Sequence, residues 1–362
     1  MSPRPRCRRR FNTDPLLDSK AAKATPYLWY FRCLALYLIT GIAGFIGSSL
    51  AHTLVAQGEQ VRGIDNFSTG KRENIAEIKG RIDFRELDLK TASPELTAAC
   101  SGVDYILHEA ALPSVPRSVI DPVSSNESNI DGTLHLLVAA KDAYEREGRL
   151  KRIVYAASSA AYGDTPTLPK HEGMLPNPIS PYAVTKLTGE YYLQCFHKAY
   201  GMPTVSLRYF NVFGPRQDPT SQYSGVLAKF ITAMLRGEQP TIYGDGEQSR
   251  DFTSVEDVVS ANLLACTAPA EKVAGRVLNI ACGRRVNLKE TFQVLKKITG
   301  YNGEPAYGPE RAGDIKHSLA DISLAQELLG YQPRVSFEEG LRSTVDWYRQ
   351  QKDIASPEKI LA

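Results

Sequence analysis

The sequence predicts an α/β protein, a doubly wound parallel (Rossmann) sheet followed by a smaller α/β substrate-binding domain. Three observations carry this reading. Short strand-like runs alternate with longer helical stretches from about residue 36 to 210, the pattern of βαβ units covered on both faces. Gly41, Gly44 and Gly47 fall between the first such run and the first helical stretch. From about Asn211 the rhythm breaks, and Pro and Gly become frequent in FGPRQDP and YGDGEQSRD, as loops of a second domain would require.

The elements follow in order. YLIT at 37–40 reads as the first strand. Residues 45–57 form a helix, with Ile46, Leu50, Leu54 and Val55 on one face. Strands are expected at 61–64 and 82–87, a helix at 94–100 and a strand at 105–108. A single long helix is expected over 126–146, then a strand at 152–156, a helix at 181–200 and a strand at 204–209. A helix at 254–266 and a strand at 276–282 could return to the first sheet. The C-terminal stretch reads as two helices around a Gly-Tyr-x-Pro turn. The expected division is an extension over 1–35, a first domain over 36–210 that segments of 252–282 could rejoin, and a second over 211–350.

Composition excludes some classes. The 362 residues are 43% hydrophobic and 23% charged, ordinary for a globular protein. A net charge of +3 gives no reason to expect nucleic acid. MSPRPRCRRR carries five arginines and no acid, and without it the rest of the chain is close to neutral. The following stretch is mixed, then aromatic at 27–31, and lacks a clear signal-peptide cleavage site. Asp14 and Asp18 weaken a transit-peptide reading, so residues 1–35 read as a loosely ordered extension or the product of an upstream start codon. The six cysteines form no C-x-x-C pair, which fits a reducing, cytoplasmic setting and no metal. The apolar run into YLITG falls short of a membrane span, because glycines interrupt it.

The glycine pattern has a specific chemistry. The first glycine permits a tight turn, the second lets backbone approach a pyrophosphate, and the third lets helix pack on strand. The N–H groups and dipole of the helix then favour phosphate. Asp65 stands 21 residues after Gly44 at the end of the second strand, where a carboxylate can bond ribose hydroxyls and repel a 2′-phosphate. This points to NAD rather than NADP, although Lys71 and Arg72 follow soon after.

A second constellation is Tyr182-Ala-Val-Thr-Lys186. Spacing of four puts phenol and ammonium on one helix face. The lysine is expected to lower the tyrosine pKa and make it a general base. Ser158 and Ser159 end a strand, where ligands of open α/β sheets bind, and can hydrogen-bond a substrate hydroxyl.

These segments resemble the extended short-chain dehydrogenase/reductase superfamily, and within it the NAD-dependent epimerase/dehydratase family of nucleotide-sugar enzymes. The resemblance runs from about Leu36 to Tyr348 through TGIAGFIGSSL, IDNFSTG, HEAALPSVPRS, NIDGT, SSAAYGD, PYAVTK, RYFNVFGPRQ, GDGEQSRDF and GDIKHSLADIS. It implies NAD held by Gly41, Gly44, Phe45, Ile46, Gly47, Asp65, Asn66, Asp88, Leu89, Ala110, Ala111, Asn129, Tyr182 and Lys186. It implies a UDP-sugar held by Ser114, Ser158, Asn211, Gly225, Val226, Tyr243, Arg250, Arg311, Asp314 and Ser318. Sugar 4,6-dehydratases of similar sequence carry an Asp-Glu pair after the strand-end hydroxyl, and UDP-glucuronate decarboxylases a Glu. Here Ser159 and Ala160 stand there, which argues for 4-epimerisation.

LPSVPRSVIDP and GDIKHSLADIS most resemble bacterial epimerases acting on UDP-N-acetylglucosamine and its galacto isomer. Ser318 matches a pocket wall that is bulky in enzymes limited to glucose and galactose. UDP-glucose remains an expected substrate as well, and UDP-glucuronic acid 4-epimerases share small residues at this wall. The rival readings are an NAD(P)-dependent nucleotide-sugar reductase or dehydratase and a non-catalytic NAD-binding protein. The resemblance also implies a homodimer built on the helix of Tyr182 and the helix near 126–146.

Overall fold

The computed structural model describes residues 34–219, 225–310 and 316–351. The N-terminal extension through residue 33, with Arg311 and Asp314, lies outside these described residues.

In chain order, β1 (Leu36–Thr40), α1 (Phe45–Ala56) and β2 (Gln60–Asp65) form the first βαβ unit. A 3₁₀ segment, Arg72–Arg81, leads to β3 (Asp83–Glu86), then α2 (Pro94–Cys100) and β4 (Tyr105–His108). Next come α3 (Val115–Ile120), α4 (Pro122–Asn126), a π turn (Glu127–Asp131) and α5 (Gly132–Glu147). β5 (Arg152–Ser158), a 3₁₀ turn (Ser159–Tyr162), α6 (Pro181–Tyr200) and β6 (Thr204–Tyr209) complete the first half. Beyond it lie β7 (Val212–Phe213), α7 (Val226–Leu235), β8 (Thr241–Tyr243), β9 (Ser249–Arg250), β10 (Thr253–Ser254), α8 (Val255–Thr267) and α9 (Ala270–Val273). β11 (Arg276–Ile280), β12 (Val286–Asn287), α10 (Leu288–Thr299), β13 (Ala306–Gly308), α11 (Ser323–Leu329) and α12 (Phe337–Arg349) end the described chain.

Seven strands form one sheet in the order β11-β6-β5-β4-β1-β2-β3, with every pairing parallel. The order reverses between β1 and β4, so the two following connections leave on opposite faces and open a crevice at the carboxyl ends of those strands. Strand pleating sends neighbours to opposite sides. Ile39 joins Leu54, Val154, Leu207 and Leu278 in one apolar cluster, whereas Leu38 joins Ile106, Leu137, Ile153 and Leu193 in the other. Full burial of Leu38 or Ile39, each 0% exposed, contributes roughly 2 kcal/mol. A third cluster, with Phe230, Phe292, Leu295, Leu341 and Tyr348, forms the core of a smaller lobe built from α7, α10 and α12. In that lobe capping boxes at Asn287/Glu290 and Ser336/Glu339 start α10 and α12.

Most expected elements stand where the periodicity puts them, and β11 pairs with β6 after the chain has visited the second lobe. One expectation is corrected. The helix predicted over 126–146 begins earlier, at Pro122 behind the Asp121 cap, and widens into the π turn before α5. A wider turn leaves the apolar periodicity nearly unchanged, so sequence spacing does not expose it. No helix among the described residues is long and apolar enough to cross a membrane.

Candidate active site

A cleft of about 670 Å³ opens at the β1/β4 reversal. Its floor is the glycine turn. Gly41 has φ +69°, and a Cβ there would lie 2.8 Å from Ala110 backbone atoms. A Cβ on Gly47 would come within 2.1 Å of the Gly41 carbonyl oxygen, so only glycine lets α1 pack this close to β1. Gly44 caps α1 with no side-chain hydrogen bond, and the first turn carries no acidic side chain. The N–H groups of that turn thus face the cleft with no competing side-chain acceptor, a cradle that suits a pyrophosphate.

Asp65, at the end of β2, is 7% exposed. Its Oδ2 accepts from the Ala43 N–H at 2.9 Å and its Oδ1 from Phe67 N–H at 2.7 Å. Burial pushes its carboxyl up from the usual range, while those backbone bonds oppose the shift. Both nearby cations are already engaged. The Arg72 guanidinium stacks on the Phe67 ring at 3.8 Å and bonds Glu86 at 3.0 Å, and Lys71 pairs with Asp218 at 2.8 Å. With both basic groups engaged and a carboxylate at the strand end, the pocket suits NAD and disfavours a 2′-phosphate.

The opposite wall comes from β5 and α6. Ser180 caps α6 through Ala183 N–H, and Pro181 takes the first helical position, which fixes Tyr182 in the first turn and Lys186 one turn on. Lys186 is 4% exposed, and its Nζ donates to Ala156 O at 2.8 Å. Burial lowers its ammonium to about 8, against the opposing charges of Glu109 and Glu190. Tyr182 departs from expectation. Its phenol is raised, not lowered, because burial outweighs a hydrogen bond with Ser158, and the Glu109 charge adds to the rise. Lys186 does not relieve it here, its Nζ being held by the end of β5. Ser158 Oγ also accepts from Ala160 N–H at 3.2 Å, which starts the 3₁₀ turn containing Ser159.

The structure brings most of the expected cofactor residues to one cleft. Gly41, Gly44, Phe45, Ile46, Gly47, Asp65, Asn66, Asp88, Leu89, Ala110, Ala111, Tyr182 and Lys186 line it, as do Ser114 and Gly225. Asn129 does not. It is 1% exposed in the π turn, and its amide is spent on Leu112 N–H and C=O and on Thr185 Oγ1. It holds the loop after β4 against α6. Beyond the cleft, Asn211, at φ +33°, points its Nδ2 to Asp251 O at 3.2 Å and to Ser318 Oγ at 3.4 Å. Val226 opens α7 behind the Gly225 cap, Arg250 Nη1 bonds Ser249 O and Lys316 O, and Tyr243 lies exposed on β8. These last positions belong to the smaller lobe and lie outside the cleft lining.

Sequence reasoning passed over Glu109, Arg216 and Asp218, which also line the cleft. For Glu109 a signal existed, a carboxylate immediately after a strand that ends at the switch point. For Asp218 none did. Among the described residues no group of His, Cys, Asp and Glu is arranged to hold a metal ion.

A crevice of this build, at the turning point of a parallel sheet with a phosphate cradle on one side and a buried Tyr/Lys pair on the other, defines a dinucleotide-dependent enzyme. The chain belongs to the NAD dependent epimerase/dehydratase family, whose sequence pattern matches residues 37–281, and NAD is its cofactor. It is 38% identical over 315 residues to a UDP-glucose 4-epimerase of Mycolicibacterium smegmatis, covering 86% of this chain and 98% of the relative. It resembles the UDP-N-acetylglucosamine 4-epimerase of Methanobrevibacter ruminantium M1, solved with UDP-N-acetylmuramic acid, with a TM-score of 0.82 and 41% identity over 87% of this chain and 98% of that one. It also resembles the UDP-glucuronic acid 4-epimerase of Bacillus cereus, solved with UDP-glucuronic acid and NAD, with a TM-score of 0.78 and 34% identity over 87% and 99% of the two chains.

Proposed function

We propose that this chain is a UDP-sugar 4-epimerase whose preferred pair is UDP-N-acetylglucosamine and UDP-N-acetylgalactosamine, with UDP-glucose and UDP-galactose as further substrates. The relatives act on UDP-sugars that share the 4-hydroxyl and differ at C2 or C6, so the reaction class follows from what they have in common. The substrate reading rests on Ser318, a small side chain that stands beside Asn211 at the position which, by the family resemblance, corresponds to the pocket wall next to the sugar, where a small residue would leave room for an acetamido group.

The residues fit a division of labour. The uncapped α1 N-terminus and Gly44 would hold the pyrophosphate, and Asp65 the adenosine ribose. Tyr182 takes the proton of the sugar 4-hydroxyl and returns it, with Ser158 sharing a hydrogen bond with the phenol and the sugar oxygen. Lys186 holds positive charge against the phenolate as it forms. Held by these residues, NAD would supply hydride chemistry at C4, acceptance from one face of the sugar and return to the other face of the 4-keto carbon, which is what inverts the centre, and its oxidised form would bring positive charge to the site. Ser159 and Ala160 leave no carboxylate next to Ser158 for elimination or decarboxylation. Asn129 acts on the loop and α6 rather than on cofactor directly. Asn211, Val226, Tyr243 and Arg250, together with Arg311 and Asp314, serve the uridine diphosphate.

We place a homodimer on α5 and α6, which expose Val138, Val184 and Tyr191 on their outer faces. Light scattering on the purified protein tests this, and a monomer at micromolar concentration speaks against it.

The deciding experiment is an epimerisation assay without added cofactor over UDP-N-acetylglucosamine, UDP-glucose and UDP-glucuronic acid. Ser318→Tyr should lower kcat/KM on the acetamido sugar by about tenfold or more and change UDP-glucose little. Equal losses on both sugars rule out the pocket argument. A wild-type preference for UDP-glucuronic acid replaces the substrate assignment and leaves the reaction standing.

A further inference from the structure

Glu109 is a titratable group in the cleft that the mechanism above does not use. It is the first residue past β4, and its N–H donates to Thr40 O at 3.2 Å, which extends the β1–β4 ladder by one residue. Its Oε1 accepts from Tyr209 Oη at 2.9 Å. Asn262 Nδ2, on α8, donates to the same hydroxyl at 2.8 Å, and Asn262 Oδ1 stands 3.2 Å from it as a second, longer acceptor. The carboxyl therefore stands in a fixed place one residue past the His108–Tyr155 pair of β4 and β5, on the same cleft lining as Ala156, whose carbonyl holds Lys186 Nζ at 2.8 Å, and its charge acts to raise the pKa of both Lys186 and Tyr182.

Resting on the epimerase reading, we infer that Glu109 is a positioning residue: its carboxylate supplies the negative charge that keeps the buried Lys186 ammonium protonated beside Tyr182.

The neighbouring groups single Glu109 out. From α6 come Tyr182, Lys186 and Glu190, and Glu190 is bound in both oxygens by Arg208 of β6 at 2.8 and 2.7 Å. From β5 the Tyr155 ring faces the ammonium at 5.0 Å. From β6 Tyr209 is held neutral by burial, and Cys266 of α8 lies behind it with its thiol pushed up by burial. From β4 His108 is held neutral by burial, lowered to about 3. Glu190 also acts on the lysine but shares its charge with Arg208, so Glu109 is the larger of the two carboxylate influences on Lys186.

Burial raises the Glu109 carboxyl to about 7, against the Tyr209 bond and the Lys186 charge. Below that pH it is neutral, and a glutamine in its place is nearly the same group. Above it the carboxylate holds Lys186 up, and its removal lets the ammonium lose its proton at lower pH.

The test is the pH profile of kcat/KM for Glu109→Gln, a change that keeps an acceptor for Tyr209. The ratio of wild type to variant is expected near one below about pH 6 and on the order of tenfold by about pH 9, with the alkaline limb moved down by about one unit. Glu109→Asp, which keeps the charge, should leave the limb in place. A ratio that is flat across the range, or a Glu109→Asp limb that moves as far as that of Glu109→Gln, overturns the role of Glu109. An active Tyr182→Phe enzyme overturns the reading beneath it instead.

Discussion

Lys71 and Asp218, 147 residues apart, form an ion pair of 2.8 Å across the rim of the cofactor cleft. One follows β2 and the other follows β7, so the pair ties two walls of the cleft together. Both side chains are about a third or more exposed, at 41% and 33%. An exposed pair is worth about 0–1 kcal/mol. Asp218→Asn is therefore expected to raise the NAD release rate by about fivefold at most, and 1 M salt should bring wild type toward the variant. Stopped-flow displacement of NAD at two ionic strengths checks this, and a salt-independent rate in wild type counts against the clasp.

Asp65 holds the glycine turn as well as lining the cleft. Replacing it with Asn removes a charged acceptor from two backbone N–H groups, a loss of roughly 1.5–3 kcal/mol. NAD affinity of Asp65→Asn should fall on the order of 10- to 100-fold. The variant should not come to prefer NADP, because Lys71 and Arg72 stay committed to Asp218 and to Phe67 and Glu86. Calorimetric titration of both cofactors decides, and a preference for NADP contradicts this account of the two cations.

Tyr182→Phe should keep NAD, since the ring and its packing survive, and lose turnover by about 10²- to 10⁴-fold, the range for a removed general acid–base. The NAD content of the purified variant and its epimerisation rate are the two readouts. Loss of NAD together with activity would show that the phenol matters to cofactor retention instead.

Glu190 and Arg208 form a two-point pair at 1% and 4% side-chain exposure between α6 and β6. Glu190→Gln leaves a buried guanidinium without its counter-charge, expected to destabilise the fold by about 3–5 kcal/mol. The double change with Arg208→Met should recover much of this. Denaturant unfolding of the three proteins measures it, and a double variant no better than the single one argues that packing, not charge, is at stake.

The strands were legible because a parallel sheet covered on both faces demands apolar runs, as in YLIT and RVLNI, bounded by Gly, Asp or Asn. The glycine turn was legible because its spacing and its place between strand and helix are both constrained. Long-range electrostatics were not. The sign of the Tyr182 shift depends on burial and on Glu109, 73 residues away, and a tyrosine–lysine spacing carries neither. The π turn was hidden because one extra residue per turn barely disturbs an apolar face. Asn129 matched a family pattern by position, but what its amide touches is decided by the loop at Leu112 and by Thr185, neither of them near it in sequence.

β11 enters the sheet beside β6 only after the smaller lobe has begun to form, its register running from Arg276 with Val205 to Ile280 with Tyr209. During synthesis the glycine turn, Asp65, Tyr182 and Lys186 have therefore all been made before β6, and β6 then waits as an open edge with unpaired N–H and C=O groups until residues 276–280 follow. Such an edge invites pairing with another chain. Residues 276–280 close that edge when they arrive, so the order of the chain leaves the first six strands with an exposed pairing edge until the second half has been made.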